Sequence, residues 1–391
     1  MLSGIKEKQI IKTGFIILFN DTWLGGLNYY RNLINIILED DCRCIEPIIF
    51  TNDNRIKAFF NNKNVKIVST KIFEKFSILW LLNKASKKIL KREYPLEMLL
   101  KKYNIKILSH SMYMINDIIQ IPWIPDFQHI HLPEFFGKEE VHYRDTVFER
   151  YAVNGDLVIL SSENAKKDFC DKYPKYKEKA MVLNFVVPVI NNNNIDVLQK
   201  YKIKKPFFYL PNQFWQHKNH KVVVEALTYL KDTDIIVYCS GKTEDYRNKE
   251  YFNELLEFIS KNSLKEKFII LGVVPYEDVK GLMEECKAVI NPSLFEGWST
   301  TVEEAKSIGK RIILSDIDVH KEQNPEGAVF FKKNDARDLA NKMLLVWNEP
   351  AVVNESLKAN ALKNLVYRKN LYRKTYYDIL HKALETSKRR D

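Results

Sequence analysis

The chain has 391 residues, 46% hydrophobic and 28% charged, a balance that excludes a disordered polypeptide. No apolar run reaches the length needed to span a bilayer, and the length exceeds one core of usual size, so two domains are expected. The formal net charge of +11 suits nucleic acid, anionic lipid or a diphosphate substrate alike; the lysines are scattered rather than gathered in one arm, so it reads first as ordinary solvated surface, with a weak membrane-surface attraction second.

The start, Met1 to Asp21, makes a poor signal peptide. Lys6 and Lys8 precede an apolar stretch that Asn20 and Asp21 interrupt, and no small-residue cleavage site follows. A cytoplasmic location is therefore expected. The five cysteines (Cys42, Cys44, Cys170, Cys239, Cys286) agree with it. Their number is odd, only Cys42 and Cys44 are close, and no further ligands stand near that pair to make a zinc site.

In chain order, strands are predicted over Gly14–Asn20, Cys44–Phe50, Val65–Val68, Ile105–Ser109, Ile121–Phe127, Leu157–Ser161 and Met181–Val187. A second series follows over Pro206–Leu210, Ile235–Ser240, Lys267–Leu271, Ala288–Asn291, Arg311–Ser315 and Ala328–Phe331. Helical patterns fill most gaps, among them Leu27–Leu38, Asn219–Leu230, Asn248–Lys261, Tyr276–Glu285 and Thr300–Ile308. Strict alternation of strand and helix predicts an α/β protein with parallel sheets covered by helices on both faces. The strands are too many for one sheet of usual size. A first domain over 1–188, a linker over 189–205 and a second domain over 206–366 are expected, since Asn191 to Asn194 is a poor helix or strand former. The rest, 367–391, reads as a basic amphipathic helix. It either packs back on the first domain, the favoured reading, or covers a membrane-facing patch.

The most informative stretch runs from Val289 to Asp316. A strand ends at Asn291, a loop carries Glu296 and Gly297, Ser299 or Thr300 caps a helix holding Glu303 and Glu304, and Gly309 stops it before the next strand. Such a helix start offers unpaired amides and a positive dipole end to a phosphate. Gly297 lets backbone approach a ligand. A carboxylate one turn into the helix can accept from both ribose hydroxyls, and one on the loop from sugar hydroxyls.

The segment Glu296-Gly-Trp-Ser-Thr-Thr-Val-Glu-Glu-Ala305 resembles the motif of family-4-type retaining glycosyltransferases, the glycosyl transferases of group 1: a Glu, seven residues, then a second Glu followed by Ala. The resemblance implies the GT-B fold, two Rossmann-like domains with parallel sheets facing across a cleft: an acceptor-side domain first, a nucleotide-sugar domain second. It implies that Glu296 holds the donor sugar and Glu304 the ribose, with Trp298, Ser299 and Thr300 at the donor. Glu303 is then an ordinary surface acid, because adjacent helical residues point about 100° apart.

Phe207 to His220 is similar to the loop where this family grips the donor diphosphate with a basic pair. Lys218 falls on its lysine; Gln213 stands where arginine is usual, which replaces a charge-assisted contact with a neutral one. Phe15 to Arg31 resembles the N-terminal loop whose glycines, here Gly25 and Gly26, face the diphosphate and acceptor. Trp123 to Phe136 resembles the loop carrying a His-Asp pair: Asp126 is retained, Pro125 occupies the histidine position, and His129 or His131 takes the polar role, His129 preferred. Ser161-Ser-Glu resembles the family's turn into a helix and is read as architecture.

No required metal is expected. Asp232-Thr233-Asp234 precedes its strand, and Asp316-Ile317-Asp318 matches the family's loop after the donor helix. No cofactor is expected beyond the nucleotide-diphosphate sugar as donor substrate. The expected partners are an oligosaccharide or lipid-linked glycan acceptor and a peripheral membrane contact at the inner face of the cytoplasmic membrane, with no nucleic acid. The expected activity is retaining transfer of a hexosyl or deoxyhexosyl group from a GDP-, UDP- or dTDP-sugar in surface polysaccharide synthesis. The rivals are a nucleotide-binding protein of this fold without transferase activity and a basic protein that binds nucleic acid or a membrane surface.

Overall fold

The computed structural model describes residues 10–19, 24–40, 44–60, 65–189, 196–203, 206–350 and 352–388. The stretch up to Gln9, Cys42, the run Asn191–Asn194 and about half of the expected linker lie outside the described residues. The chain divides into two compact units. One takes residues up to Pro125, Tyr143–Val186 and the chain from Lys369 onward; the other takes Asp126–His142 and Val187–Arg368.

The first unit holds strands β1 (Ile11–Ile16), β2 (Ile45–Thr51), β3 (Lys66–Ser69), β4 (Ile107–His110), β5 (Ile119–Ile124), β6 (Val158–Leu160) and β7 (Ala180–Val182). They form one sheet in the order β3-β2-β1-β4-β5-β6-β7, every neighbouring pair parallel. The second unit holds β8 (Phe208–Leu210), β9 (Val237–Cys239), β10 (Phe268–Ile270), β11 (Ala288–Asn291), β12 (Ile312–Ser315) and β13 (Ala328–Phe331), ordered β10-β9-β8-β11-β12-β13 and again all parallel. The central strands are buried along their whole length. Helices cover both faces, which is why these strands read as continuous apolar runs rather than alternating ones. The apolar packing of the second unit forms two clusters, one around Phe208, Val237 and Ile290, the other around Tyr209, Val289 and Leu314. Side chains alternate across a strand, so each strand feeds both.

All thirteen predicted strands are present, with ends that differ. β1 starts at Ile11 rather than Gly14, because pairing with β2 begins at Ile11↔Ile45. β7 stops at Val182, where its pairing with β6 ends. The first helix begins at Leu24, so Gly25 and Gly26 lie in its first turn rather than in a loop before it. The terminal helix begins at Val352 and runs to Lys388, well before the predicted start. Gly309 closes the helix Thr300–Ile308 in the left-handed region (φ +64°). A Cβ there would come within 2.4 Å of the Leu357 carbonyl oxygen on the terminal helix, so glycine is required on both counts. From Lys369 onward that helix spends its apolar face inside the first unit, where Tyr372, Tyr376, Ile379 and Leu380 are buried and the Tyr376 hydroxyl donates to Ser109 Oγ at 2.9 Å.

Candidate functional site

β8 and β11 lie side by side although 79 residues separate Asn212 from Asn291, the residues at their carboxyl ends. This is where the strand order of the second sheet reverses, the crevice in which open α/β sheets bind ligands. The two loops that leave it are tied into one platform. Asn212 Nδ2 donates to Asn291 Oδ1 at 3.1 Å, and Thr301 Oγ1 donates to Asn212 Oδ1 at 3.1 Å. The Leu294 amide donates to the His217 carbonyl at 2.8 Å. The side chains of Asn212, Asn291 and Thr301 and the Ser299 cap beside them are buried, and buried polar groups hold position when so satisfied. The loop after β9 closes against the same platform. A Cβ on Gly241 (φ +154°) would meet the Asn212 carbonyl oxygen at 2.4 Å.

On this platform Lys218 Nζ and Glu296 Oε1 stand 2.7 Å apart in a half-buried ion pair. The Ser293 hydroxyl lies 2.7 Å from the same carboxylate oxygen. Lys218 ends a short turn, Gln216–Lys218, whose first amide donates to Asp245 at 2.9 Å. Gln213 lies half-buried earlier in that loop. Beyond Glu296, Gly297 and Trp298 are half-buried and Thr300 is exposed. Ser299 is the cap: its hydroxyl accepts from the Val302 amide at 3.4 Å and from Asn291 Nδ2 at 2.8 Å. Gln323 clamps the Ser299 backbone from both sides, accepting from its amide and donating to its carbonyl, each at 3.0 Å.

The two neighbouring glutamates separate cleanly. Glu304 faces a pocket lined by Val187, Pro188, Tyr276 and Met283 among others. Tyr276 donates its hydroxyl to Glu304 Oε1 at 2.7 Å. Burial pushes the Glu304 carboxyl up to about 7, and the tyrosine hydrogen bond only partly offsets this. Glu303 is not the surface acid expected from sequence. It is 1% exposed, pairs with Arg368 and with Lys306 at 3.3 Å, and accepts from Gln323 Nε2 at 3.1 Å. Arg368 arrives from the terminal helix and also donates to Ser307 Oγ at 3.0 Å. A long-range partner has turned an unpromising position into a buried ionic node.

Asp126 accepts from the Gln128 amide at 2.9 Å and so shapes the short helix Gln128–His131. His129 is buried between the rings of Phe127 and Phe136, with centroids at 6.2 and 6.4 Å. His131 is exposed and stacks on Phe295, the residue before Glu296, at 5.1 Å. Gly25 and Gly26 belong to the first unit. Among the described residues, nothing would lie within 4 Å of a Cβ on Gly25.

Several residues that organise the site carry no local sequence signal. Arg247 donates to Gln128 at 3.1 Å and reaches His217 Nδ1 at 3.0 Å, which joins the segment holding Asp126 to the Lys218 turn. His320 is buried, with Nδ1 3.0 Å from the Ser315 carbonyl oxygen. Burial lowers it to about 4, and Glu296 and Lys218 pull it in opposite directions. Burial likewise lowers His220 to about 3. Both imidazoles are therefore neutral at pH 7. Asp316 Oδ1 accepts from the Lys333 amide at 2.8 Å, which engages one acid of the second Asp-x-Asp triplet with the loop after β13.

Comparison with known proteins bears on this arrangement. The profile of the family described as Glycosyl transferases group 1 matches residues 193–389, about half of the chain. The chain is similar to the N,N'-diacetylbacillosaminyl-diphospho-undecaprenol alpha-1,3-N-acetylgalactosaminyltransferase of Campylobacter jejuni, 28% identical over 201 residues, 50% of this chain and 47% of that protein. It is similar to the O-antigen chain mannosyltransferase RfbU of Salmonella typhimurium, 27% identical over 181 residues, 46% of this chain and 48% of that protein. The chain spans about half the length of the curated relatives it matches. Among solved structures it resembles a glycosyltransferase from Rickettsia africae (TM-score 0.71, 17% identity, 96% of this chain and 99% of that one). HepE of Anabaena, solved in complex with UDP and glucose, is equally similar (TM-score 0.71, 15% identity, 95% and 99%). At such identities the likeness shows the fold, which is GT-B. With two all-parallel sheets of this order, and with the matched region spanning Lys218, Glu296 and Glu304, the chain belongs to the glycosyl transferases of group 1.

Proposed function

We propose that the protein is a glycosyltransferase that moves a hexosyl or deoxyhexosyl group, with retention and without a required metal, from a GDP-, UDP- or dTDP-sugar to a glycan acceptor in surface polysaccharide synthesis. One observation carries the reading: the Lys218–Glu296 pair stands on the same rigid platform as the capped helix Thr300–Ile308, and Glu304 lies one turn into that helix. Lys218, the amide of Gln213 and the first-turn amides of that helix receive the donor diphosphate and stabilise it as it leaves. Gly297, Trp298, Ser299 and Thr300 shape the backbone around it. Glu296 accepts from donor-sugar hydroxyls and Glu304 from the ribose. Asp126 and a neighbouring histidine, His129 or His131, supply polar contacts at the sugar. Gly25 and Gly26 are assigned to the diphosphate and acceptor. A donor phosphate oxygen takes the acceptor proton, with attack from the face the diphosphate leaves.

The relatives' names support the acceptor class. One names a diphospho-undecaprenol-linked sugar, the other an O-antigen chain. A lipid-linked glycan and a peripheral position at the inner face of the cytoplasmic membrane follow as part of the proposal. The test is a screen of GDP-, UDP- and dTDP-sugars by mass spectrometry, with thermal stabilisation by the matching nucleoside diphosphates. Stabilisation without transfer to any lipid-linked or oligosaccharide acceptor would favour a nucleotide-binding protein of this fold. Stabilisation by oligonucleotides alone would overturn both readings.

A further inference from the structure

The helix Ile78–Leu90 is built inside out. Ser77 caps it, accepting from the Trp80 amide at 3.1 Å. Its one buried residue is polar: Asn83 donates to Glu93 at 3.3 Å and accepts from the Leu96 amide at 3.3 Å. Its large apolar residues face outward. Ile78 and Ile89 are each 76% exposed, and Leu81, Leu82 and Leu90 are all more than half exposed. Positions 78, 82, 85 and 89 recur at helical spacing, so Ile78, Leu82, Ala85 and Ile89 form one stripe, with Leu81 alongside. Phe76, 81% exposed, precedes the helix with its backbone held at φ +68°. Single exposed leucines need no explanation, but a contiguous apolar face marks an interaction surface.

Charge identifies what the surface meets. Residues 71–102 carry nine lysines and arginines against three glutamates. Glu93 and Glu97 are buried, and they pair with Lys87, Arg92 and Lys101. Lys75, Lys88 and Lys91 are exposed and make no ion pair among the described residues, and Lys84 lies over the Trp80 ring at 4.8 Å. A second copy docking face to face would set two such positive patches against each other. An anionic lipid surface satisfies both features at once, with headgroups for the lysines and an acyl boundary for the apolar stripe. Among the described residues no helix is long and apolar enough to cross a membrane, so this helix would lie in the interface rather than span it.

We propose that the helix Ile78–Leu90, with Phe76 before it, docks the protein on an anionic bilayer surface. The proposal deepens the peripheral membrane position in the reading above and rests on it in that respect, but it is argued from this surface, and its test needs no donor, so failure of transfer and failure of docking are read separately.

The experiment is co-sedimentation of the full chain with phosphatidylcholine vesicles, with and without phosphatidylglycerol, at low and high salt. Wild type should bind the anionic vesicles and lose most binding in high salt. The variant Ile78→Ser/Leu82→Ser/Ile89→Ser should partition about tenfold or more weakly, with an unchanged melting temperature because these positions are exposed. The variant Lys84→Gln/Lys88→Gln/Lys91→Gln should bind weakly and respond little to salt. Brominated lipid should quench wild-type fluorescence, and Trp80→Phe should remove most of that quenching. Failure of wild type to sediment with anionic vesicles would overturn the proposal, as would equal binding by the serine variant. A wild-type dimer in light scattering that the serine variant loses, without vesicle binding, would assign the face to a second copy instead.

Discussion

Lys218 Nζ and Glu296 Oε1 are 2.7 Å apart, so the cation proposed for the donor diphosphate is paired with the carboxylate proposed for the donor sugar. Binding a donor exchanges that pair for contacts of the same kind: phosphate oxygens take the lysine, and sugar hydroxyls take the glutamate. Lys218→Ala should weaken nucleotide sugar and free nucleoside diphosphate together. Losing a charge-assisted contact costs about 1.5–3 kcal/mol, or roughly ten- to a hundredfold in affinity. Glu296→Gln should lower turnover while leaving nucleoside diphosphate affinity equal or tighter, since it frees the lysine. Calorimetry and initial rates measure both. Undiminished diphosphate binding by Lys218→Ala would remove this lysine from the site.

Glu303 and Glu304 are adjacent in the chain and differ in surroundings, the first in a buried ionic node and the second on a pocket. Glu303→Gln breaks a buried ion pair with Arg368 and should cost on the order of 3 kcal/mol of stability, read in denaturant, with little change in nucleotide affinity. Glu304→Gln should do the reverse: a roughly ten- to a hundredfold loss of donor affinity and a near-normal unfolding midpoint. If nucleotide affinity followed Glu303 and ignored Glu304, the motif would be misaligned by one residue.

The Glu304 carboxyl is pushed up to about 7 by burial, and this gives donor binding a pH signature. The ionised form is the better acceptor for two ribose hydroxyls. Affinity for the nucleotide sugar should therefore rise as pH increases through about 7 and then level off, and Glu304→Gln should flatten the curve. For stability the sign is opposite. A carboxyl raised above its usual 4.5 holds its proton more tightly when folded, so its contribution falls as pH rises from about 4.5 through 7. A pH-independent affinity in the wild type would mean the ribose does not meet this carboxylate.

Between the two histidines of the Asp126 loop, geometry offers a direct comparison. His131 is exposed against Phe295, next to Glu296, whereas His129 is packed between Phe127 and Phe136. His131→Ala should lower turnover with an unchanged melting temperature. His129→Ala should lower the melting temperature, as expected of a buried ring replaced by a small side chain. Loss of turnover by His129→Ala at full stability would give the polar role to His129, the residue preferred on sequence grounds.

Much of this was legible because it is local. Each strand reads from its own apolar run. The helix Thr300–Ile308 is announced by Ser299 at one end and Gly309 at the other, both of which hold in the structure. The ends of strands were less legible, since pairing sets them: β1 begins where Ile45 can partner Ile11. Least legible were contacts made at long range. Glu303 reads as a surface acid until Arg368 reaches it from 65 residues away. Arg247, Gln323 and Asn212 hold the site together through partners that no spacing rule connects. The helix Ile78–Leu90 shows a further limit. An apolar stripe at helical spacing reads the same whether it is turned toward a core or away from it, and only the buried Asn83 reveals which.

The pairing of β8 with β11 has a consequence for when the site exists at all. Lys218 and Glu296 sit on separate loops, 78 residues apart in the chain, and no local turn or helix can bring them together. They meet only after two strands distant in sequence have docked and the buried Asn212–Asn291–Thr301 knot has closed behind them. Long-range closure of this kind is slow and cooperative. A nascent or partly unfolded second unit therefore has no fraction of a site to offer, and a ligand held there stabilises the folded unit against its open forms as a whole. If the proposed donor site is right, its occupancy becomes a gauge of completed folding, and nucleotide supplied early in refolding should act on the endpoint rather than on the path.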